Sequence, residues 1–256
     1  MQNNTFSGLF VGHNLITLKE VDSTNTFLKD AVSKSAPLME GTVIMADRQF
    51  AGRGQAANSW QSEAGKNLTF SILLNPVFLK IEQQFELNKA VSIALNDVLT
   101  KYLGDCVYIK WPNDIYVNNK KIGGILIENI IQGKKFKHAI IGIGLNVNQV
   151  NFADNLKNIT SFKQELHQDY HLMGLLGEIC SAIEAKYLQL KASSFKKINE
   201  DYLNRIYLIG EIASFKFDGS IQKGKIIGIA ETGQLVLETN GEIKYFNNKE
   251  IEFINQ

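Results

Sequence analysis

Three short stretches of this sequence carry side chains suited to handling anions. The first, Arg48 to Trp60, reads RQFAGRGQAANSW between two apolar runs, which is long for a hairpin connection of about 2–5 residues. Gly52 and Gly54 would open backbone conformations closed to other residues and let N–H groups approach an anion. Arg53 between them offers a forked donor for phosphate or carboxylate. GRG alone is weak, because a solvated turn with an exposed arginine reads the same. The second stretch, Lys110-Trp111-Pro112-Asn113-Asp114, places a cation, two rigid residues, an amide and a carboxylate at a strand end, where a sheet preorganises them. The third is Lys121 followed by Ile122-Gly123-Gly124, where missing side chains permit a ligand to lie against the backbone. A turn through Asn118-Asn119 would return Lys121 to the strand that begins at Asp114. A single lysine is ordinarily a surface charge; this combination points to a local anion site.

The elements that must position these groups follow from periodicity. Ser23 can cap a helix with Phe27, Leu28, Ala31 and Val32 on one face, stopping near Ala36-Pro37. Thr42 to Asp47 and Asn67 to Leu74 read as strands on either side of the glycine-bearing loop. Glu82 to Leu103 carries Leu87, Val91, Ala94, Leu95, Val98, Leu99 and Tyr102 at helical spacing, a helix covering a sheet. Four strands follow, at Val107 to Lys110, Ile115 to Val117, Gly124 to Ile131 and Lys137 to Asn146. Ile159 to about Tyr207 reads mainly helical. After Gly210 the turn pairs Asp218-Gly219, Thr232-Gly233 and Asn240-Gly241 punctuate short strands, which predicts a small β-barrel-like terminal domain. The class is α+β, with 1–208 as one domain and 209–256 as a second. With no Gly/Ser linker at the join, the two should pack firmly.

Composition excludes several functions. Lys+Arg 27 against Asp+Glu 26 leaves a formal charge of +1, so no polybasic surface for nucleic acid or membrane is indicated. No run approaches the roughly 18 apolar residues of a membrane span, and the N-terminus lacks the pattern of a secretory signal. Cys106 and Cys180 lie far apart, without zinc-ligand spacing, which suits a reducing cytoplasm. His167 and His171 stand at i, i+4, but Gln168 occupies the place a zincin gives to Glu, so both read as solvated helix histidines. Gly142-Ile143-Gly144-Leu145-Asn146 lacks the third glycine of a dinucleotide fingerprint, and no P-loop motif occurs.

Taken in order, Val21-Asp22-Ser23-Thr24-Asn25, the Gln49 to Trp60 loop, KWPND at 110–114, Lys121-Ile122-Gly123-Gly124 and Gly142 to Asn146 resemble the biotin protein ligases over nearly the whole chain from Val21 onward. The resemblance implies a class II synthetase-like mixed sheet with flanking helices, an SH3-like terminal barrel and an ATP-dependent ligase. It implies biotin contacts at Ser23, Thr24, Asn25, Gln49, Arg53, Gly54, Gln55, Lys121, Gly123 and Gly124. Adenylate contacts are implied at Gly52, Arg53, Gly54, Trp60, Asn113, Lys121 and Asn146. Catalytic roles fall to Arg53, Lys110, Asp114 and Lys121. In this family Lys121 reaches the biotin carboxylate and the bridging phosphoryl oxygen, Lys110 faces phosphate, and Asp114 helps the acceptor lysine lose its proton. Asp22 reads as a structural or capping residue.

The same resemblance implies biotin and ATP as substrates, with Mg2+ carried on the triphosphate and no metal ligated directly by the protein. The partner it implies is a biotin carboxyl carrier protein in the cytoplasm. Several members dimerise through sheet edges, so a homodimer stays open. The 22 residues before Ser23 are too few for the helix-turn-helix domain of the repressor members. Many members have a strongly basic loop where this chain keeps Arg53 alone in Gly52 to Trp60, so adenylate retention would rest on backbone and Trp60, with the loop ordering around ligand. A lipoate or octanoate ligase on the same fold, and a biotin-binding protein without catalysis, stand as alternatives.

Overall fold

A computed structural model describes residues 8–34, 38–55, 58–153 and 156–254. Seven strands form the main sheet, in the order β1-β2-β3-β7-β6-β5-β4. They are β1 Leu15–Val21, β2 Val43–Gln49, β3 Leu68–Leu74, β4 Val107–Lys110, β5 Asp114–Val117, β6 Lys120–Gln132 and β7 Lys135–Leu145. β1 runs parallel to β2, and every other pairing is antiparallel, so the sheet is mixed. Periodicity in the sequence identified all of these except β1. LITLKEV is a half-exposed edge strand with little apolar continuity, and its pairing with β2 is what makes it a strand.

β3 is buried along its whole length because both sheet faces are covered. On one face lie α2 (Gln84–Leu103), α4 (Leu172–Lys191) and α5 (Phe195–Leu203), with α2 packed on both others. Val43, Met45, Ile72 and Ile141 meet that layer. On the other face α1 (Thr24–Ser33) inserts Leu28, at 0% exposure, among Ile44, Leu73 and Ile140, a burial contributing roughly 1.5–3 kcal/mol. α1 ends at Ser33 with Lys34 as its C-cap; Ala36 and Pro37 lie outside the described residues. Ser23 is the N-cap by position but makes no side-chain capping bond, contrary to the expectation. The short α3 (Phe162–Leu166) ends at His167, in a left-handed conformation, and His171 is the N-cap of α4. The two histidines therefore flank a turn and do not share a helix.

The terminal strands β8 Ile212–Phe217, β9 Ser220–Ile229, β10 Leu235–Thr239, β11 Glu242–Phe246 and β12 Glu252–Phe253 form a second, antiparallel sheet in the order β11-β10-β9-β8-β12. Its Phe215, Ile226, Leu235 and Leu237 are in the same hydrophobic cluster as the main sheet. The Trp111 indole N–H donates to the Gly233 carbonyl at 2.8 Å, a polar tie between the two sheets. No helix among the described residues is long and apolar enough to cross a membrane.

Candidate active site

The anion-handling residues converge on one cavity of about 690 Å³ between the main sheet, the start of α1 and the end of the second sheet. Arg53, Lys110, Lys121, Lys157 and Lys249 line it against Asp114 and Glu252, so the site is locally positive although the chain carries +1. Such focused charge favours an anionic ligand. Ser23, Thr24, Asn25, Gln49, Gly54, Gln55, Trp60, Asn113 and Gly124 also line it, whereas Gly52, Gly123 and Asn146 do not.

One end of the cavity is built from neutral donors and acceptors. Gln49 Oε1 accepts the Thr24 N–H at 2.8 Å and its hydroxyl at 3.2 Å. Ser71, a hydroxyl in the otherwise apolar centre of β3, lies 2.7 Å from Thr24 Oγ1 and 2.6 Å from Asn25 Oδ1. Asn25 Nδ2 donates to Glu128 Oε2 at 2.9 Å. Gly142 makes this packing feasible: a Cβ there would stand 2.4 Å from Asn25 Oδ1. Asp22 Oδ1 accepts the Ser23 N–H at 2.6 Å, which fits a structural role.

The glycine loop folds back on itself as a small hairpin. Trp60 N–H donates to the Gly52 carbonyl at 2.9 Å and Gly54 N–H to Asn58 at 2.7 Å, with Arg53 bridging Ser59; Ala56 and Ala57 lie outside the described residues. Neither Gly52 nor Gly54 has a positive φ, so the expected reason for these glycines is corrected at Gly52: a Cβ there would stand 2.3 Å from the Trp60 carbonyl oxygen. The hairpin seats the Trp60 indole on Gly144, where a Cβ would meet its Cε2 at 2.3 Å. Arg53 forms a two-pronged pair with Glu128, at 3.2 and 3.0 Å. An incoming carboxylate or phosphate would therefore meet an arginine already holding an internal acid.

Lys121 comes back beside Asp114 through the Asn118 turn, whose φ of 51° places it in the left-handed region. The ammonium is 2.7 Å from Asp114 Oδ1 and 5.8 Å from the Trp60 ring centroid. Its backbone is pinned by Asn158 O and Thr160 N, at 2.7 and 2.9 Å. Gly124 leaves room for the pair, since a Cβ there would lie 3.3 Å from Asp114 Oδ1 and 3.5 Å from Lys121 Nζ. Burial pushes the Lys110 pKa below that of an ordinary lysine, opposed by the nearby Asp114 carboxylate. Lys110 also donates to Tyr116 Oη at 3.2 Å. Burial, and then Asp114, hold the Tyr116 pKa above the ordinary tyrosine value.

Two residues expected to contact ligand also bond within the fold. The Asn113 amide donates to the Ile125 carbonyl, and Asn146 Nδ2 donates to Thr160 O at 3.0 Å. Among the described residues no group of three or more His, Cys, Asp or Glu side chains is placed to hold a metal ion. Sequence reasoning missed Ser71, Glu128 and the second sheet's Phe253. The first two left a signal, Ser71 as a hydroxyl between Phe70 and Ile72 and Glu128 as an acid interrupting the apolar stretch Ile125 to Ile131; Phe253 left none.

Comparison with known proteins places this geometry. The profile of the Biotin/lipoate A/B protein ligase family matches residues 17–146. The bifunctional ligase/repressor BirA of Bacillus subtilis (strain 168) is 32% identical over 245 residues, covering 94% of this chain and 74% of that protein. The biotin--[acetyl-CoA-carboxylase] ligase of Paracoccus denitrificans is 28% identical over 227 residues, covering 86% and 92%. The biotin protein ligase from Aquifex aeolicus, solved in complex with biotin and ATP, superposes with a TM-score of 0.79 at 30% identity, covering 95% of this chain and 100% of that one.

Proposed function

We infer the activity from the premise that the chain belongs to the biotin/lipoate A/B protein ligase family: it is an ATP-dependent biotin protein ligase. A biotin carboxylate oxygen attacks the α-phosphorus of ATP, pyrophosphate leaves, and biotinyl-5′-AMP forms. The ε-amine of a carrier lysine then attacks the acyl carbon, AMP leaves, and the proton lost by the amine goes to a base. The observation that carries this reading is one cavity with a neutral hydrogen-bonding end at Thr24 and Asn25, which Ser71 backs, and a cationic end at Arg53, Lys110 and Lys121. A polar, uncharged bicycle suits the first end, and the meeting of two anions needs the second.

In this reading Lys121 offsets the repulsion between carboxylate and α-phosphate, and Arg53 exchanges Glu128 for the same oxygens. Lys110 faces the nucleotide phosphates. Asp114, at 2.7 Å from Lys121, helps the acceptor amine shed its proton, which an ordinary lysine holds until about pH 10.4. Trp60 walls the adenylate side, where a closed loop excludes water from the anhydride. Mg2+ enters on the triphosphate. The acceptor is a biotin carboxyl carrier protein or domain, and the compartment is the cytoplasm, where both free cysteines stay reduced. Residues 1–208 form the ligase domain and 209–256 the terminal domain, whose last strand completes the cavity wall.

ATP–pyrophosphate exchange tests the reading, with biotin and lipoate offered separately. Exchange with biotin is expected; exchange with lipoate alone would replace the assignment with lipoate ligase. Mass spectrometry of a carrier domain incubated with enzyme, biotin and Mg-ATP should show the gain of one biotin, which a non-catalytic biotin-binding protein would not produce.

A further inference from the structure

The last strand of the second sheet touches a side chain of the cationic end. Lys110 Nζ lies 4.6 Å from the centroid of the Tyr116 ring, on β5, and 5.1 Å from that of Phe253, on β12. One ring therefore comes from each sheet. Each is backed by fixed structure. Phe253 pairs with Phe215 across β12 and β8, and the two rings meet edge to face at 5.2 Å. Phe215 is fully buried in the shared core. Tyr116 leans on Tyr207, with centroids 5.8 Å apart, and its hydroxyl accepts from the Lys110 ammonium at 3.2 Å. The other charges acting on the ammonium are Asp114, Lys121 and Glu252. A cation held over aromatic faces is attracted by their quadrupoles, more strongly where water is excluded, and both rings line the same cavity as the ammonium.

We propose that Phe253 is a positioning residue for the ligase reaction: with Tyr116 it grips the Lys110 ammonium, so that the second sheet completes the phosphate-facing wall. The proposal rests on the reading that Lys110 faces the nucleotide phosphates. It makes the terminal sheet a working part of the first half-reaction, acting through Lys110 alone. It also carries a pH consequence, since burial already lowers the Lys110 pKa. An ammonium kept dry loses its proton earlier as pH rises, and with it the attraction for phosphate.

The test is the biotin-dependent exchange rate of the full-length protein from about pH 6 to about pH 10, a window that spans ordinary and depressed lysine pKa values. The variants are Phe253→Ala, Phe253→Leu, Phe253→Tyr and Lys110→Arg, each checked for folding by thermal melting. Lys110→Arg should retain a lowered rate without the alkaline limb, because arginine does not deprotonate in this range. Phe253→Ala should lower the plateau about tenfold, the size expected for losing a desolvated cation–π contact, and shift the limb to higher pH as water reaches the ammonium. Phe253→Leu, which keeps the site dry without a ring, should lower the plateau without that upward shift. Phe253→Tyr should behave as wild type. A Phe253→Ala profile that is unchanged, or scaled down with its limb in place, would overturn the proposal, as would a wild-type alkaline limb in Lys110→Arg. If Phe253→Ala does not fold, a wild-type plateau in Phe253→Leu overturns it equally. Absence of biotin-dependent exchange in the wild type would instead sink the functional reading, so the two failures are separable.

Discussion

Replacing Gly142 with alanine would put a methyl group where helix α1 presses on the sheet. In place, that carbon would stand 2.4 Å from Asn25 Oδ1, 2.9 Å from its Cγ and 3.1 Å from its Nδ2. The backbone beneath has no freedom to retreat, because Gly142 is the central partner of Ser71 on one side and Leu126 on the other. The Asn25 amide must swing away instead. It is held by Ser71 at 2.6 Å, Glu128 at 2.9 Å and the Leu126 carbonyl at 3.3 Å. Losing the two short bonds, at about 0.5–1.5 kcal/mol each, costs about 1–3 kcal/mol of stability. A similar loss falls on biotin binding if Asn25 is a biotin contact, which is about fivefold to somewhat over a hundredfold in affinity. Calorimetric titration with biotin and urea unfolding would measure the two effects, and the KM for ATP should stay within about threefold since the adenine side is untouched. In the double variant with Asn25→Ala most of the added stability cost should disappear, because the two positions are in contact. A folded Gly142→Ala protein that binds biotin within about twofold of wild type would refute this reasoning.

Lys121→Met should reduce biotin-dependent exchange by roughly 10²–10³-fold, the usual cost of one fixed transition-state charge donor, with circular dichroism unchanged; a rate within about tenfold of wild type would remove Lys121 from the catalytic assignment. Glu128→Gln should release Arg53 from its two-pronged pair, seen as faster tryptic cleavage after Arg53 at neutral pH and weaker biotin binding through Asn25; unaltered cleavage would mean the pair does not hold the loop. Glu184 accepts the N–H groups of Leu9, Phe10 and Val11 at 2.5, 2.7 and 2.8 Å. Burial works to raise its pKa, but these three backbone bonds outweigh it and hold the carboxyl below the ordinary range. A depressed folded pKa means stability that is present above the unfolded value of about 4.3 and lost as pH falls through the folded one. Glu184→Gln should therefore lower the urea midpoint at neutral pH and flatten its decline in acid; parallel curves for variant and wild type would contradict the linkage.

Much of this molecule is written locally. Val43 to Ala46 and the run Leu68 to Leu74 are fully buried and apolar enough to declare themselves strands. α2 shows its stripe at 3.6-residue spacing, and Asn118 marks the turn that returns Lys121 to Asp114. KWPND and the GRG loop were likewise legible as anion-handling chemistry, because residue types and short spacings suffice when neighbours in sequence are neighbours in space. The rest depends on contacts that close only when the sheet forms. β1 exists through its pairing with β2, and Ser71 comes to back the cavity-lining Thr24 and Asn25 because β3 is central and α1 lies over it. Arg53 finds Glu128 across |i−j| = 75, and Phe253 reaches Lys110 from a different sheet. Asn146 resembles a ligand contact in the sequence, yet it lies off the cavity and its amide donates to the Thr160 carbonyl, whereas Asn113 lines the cavity while its amide also donates to the Ile125 carbonyl. A buried amide must satisfy its hydrogen bonds wherever the chain passes nearest. Local pattern thus determined which groups this protein brings to its chemistry, and long-range packing alone decided which of them face the cavity and which are spent holding it together.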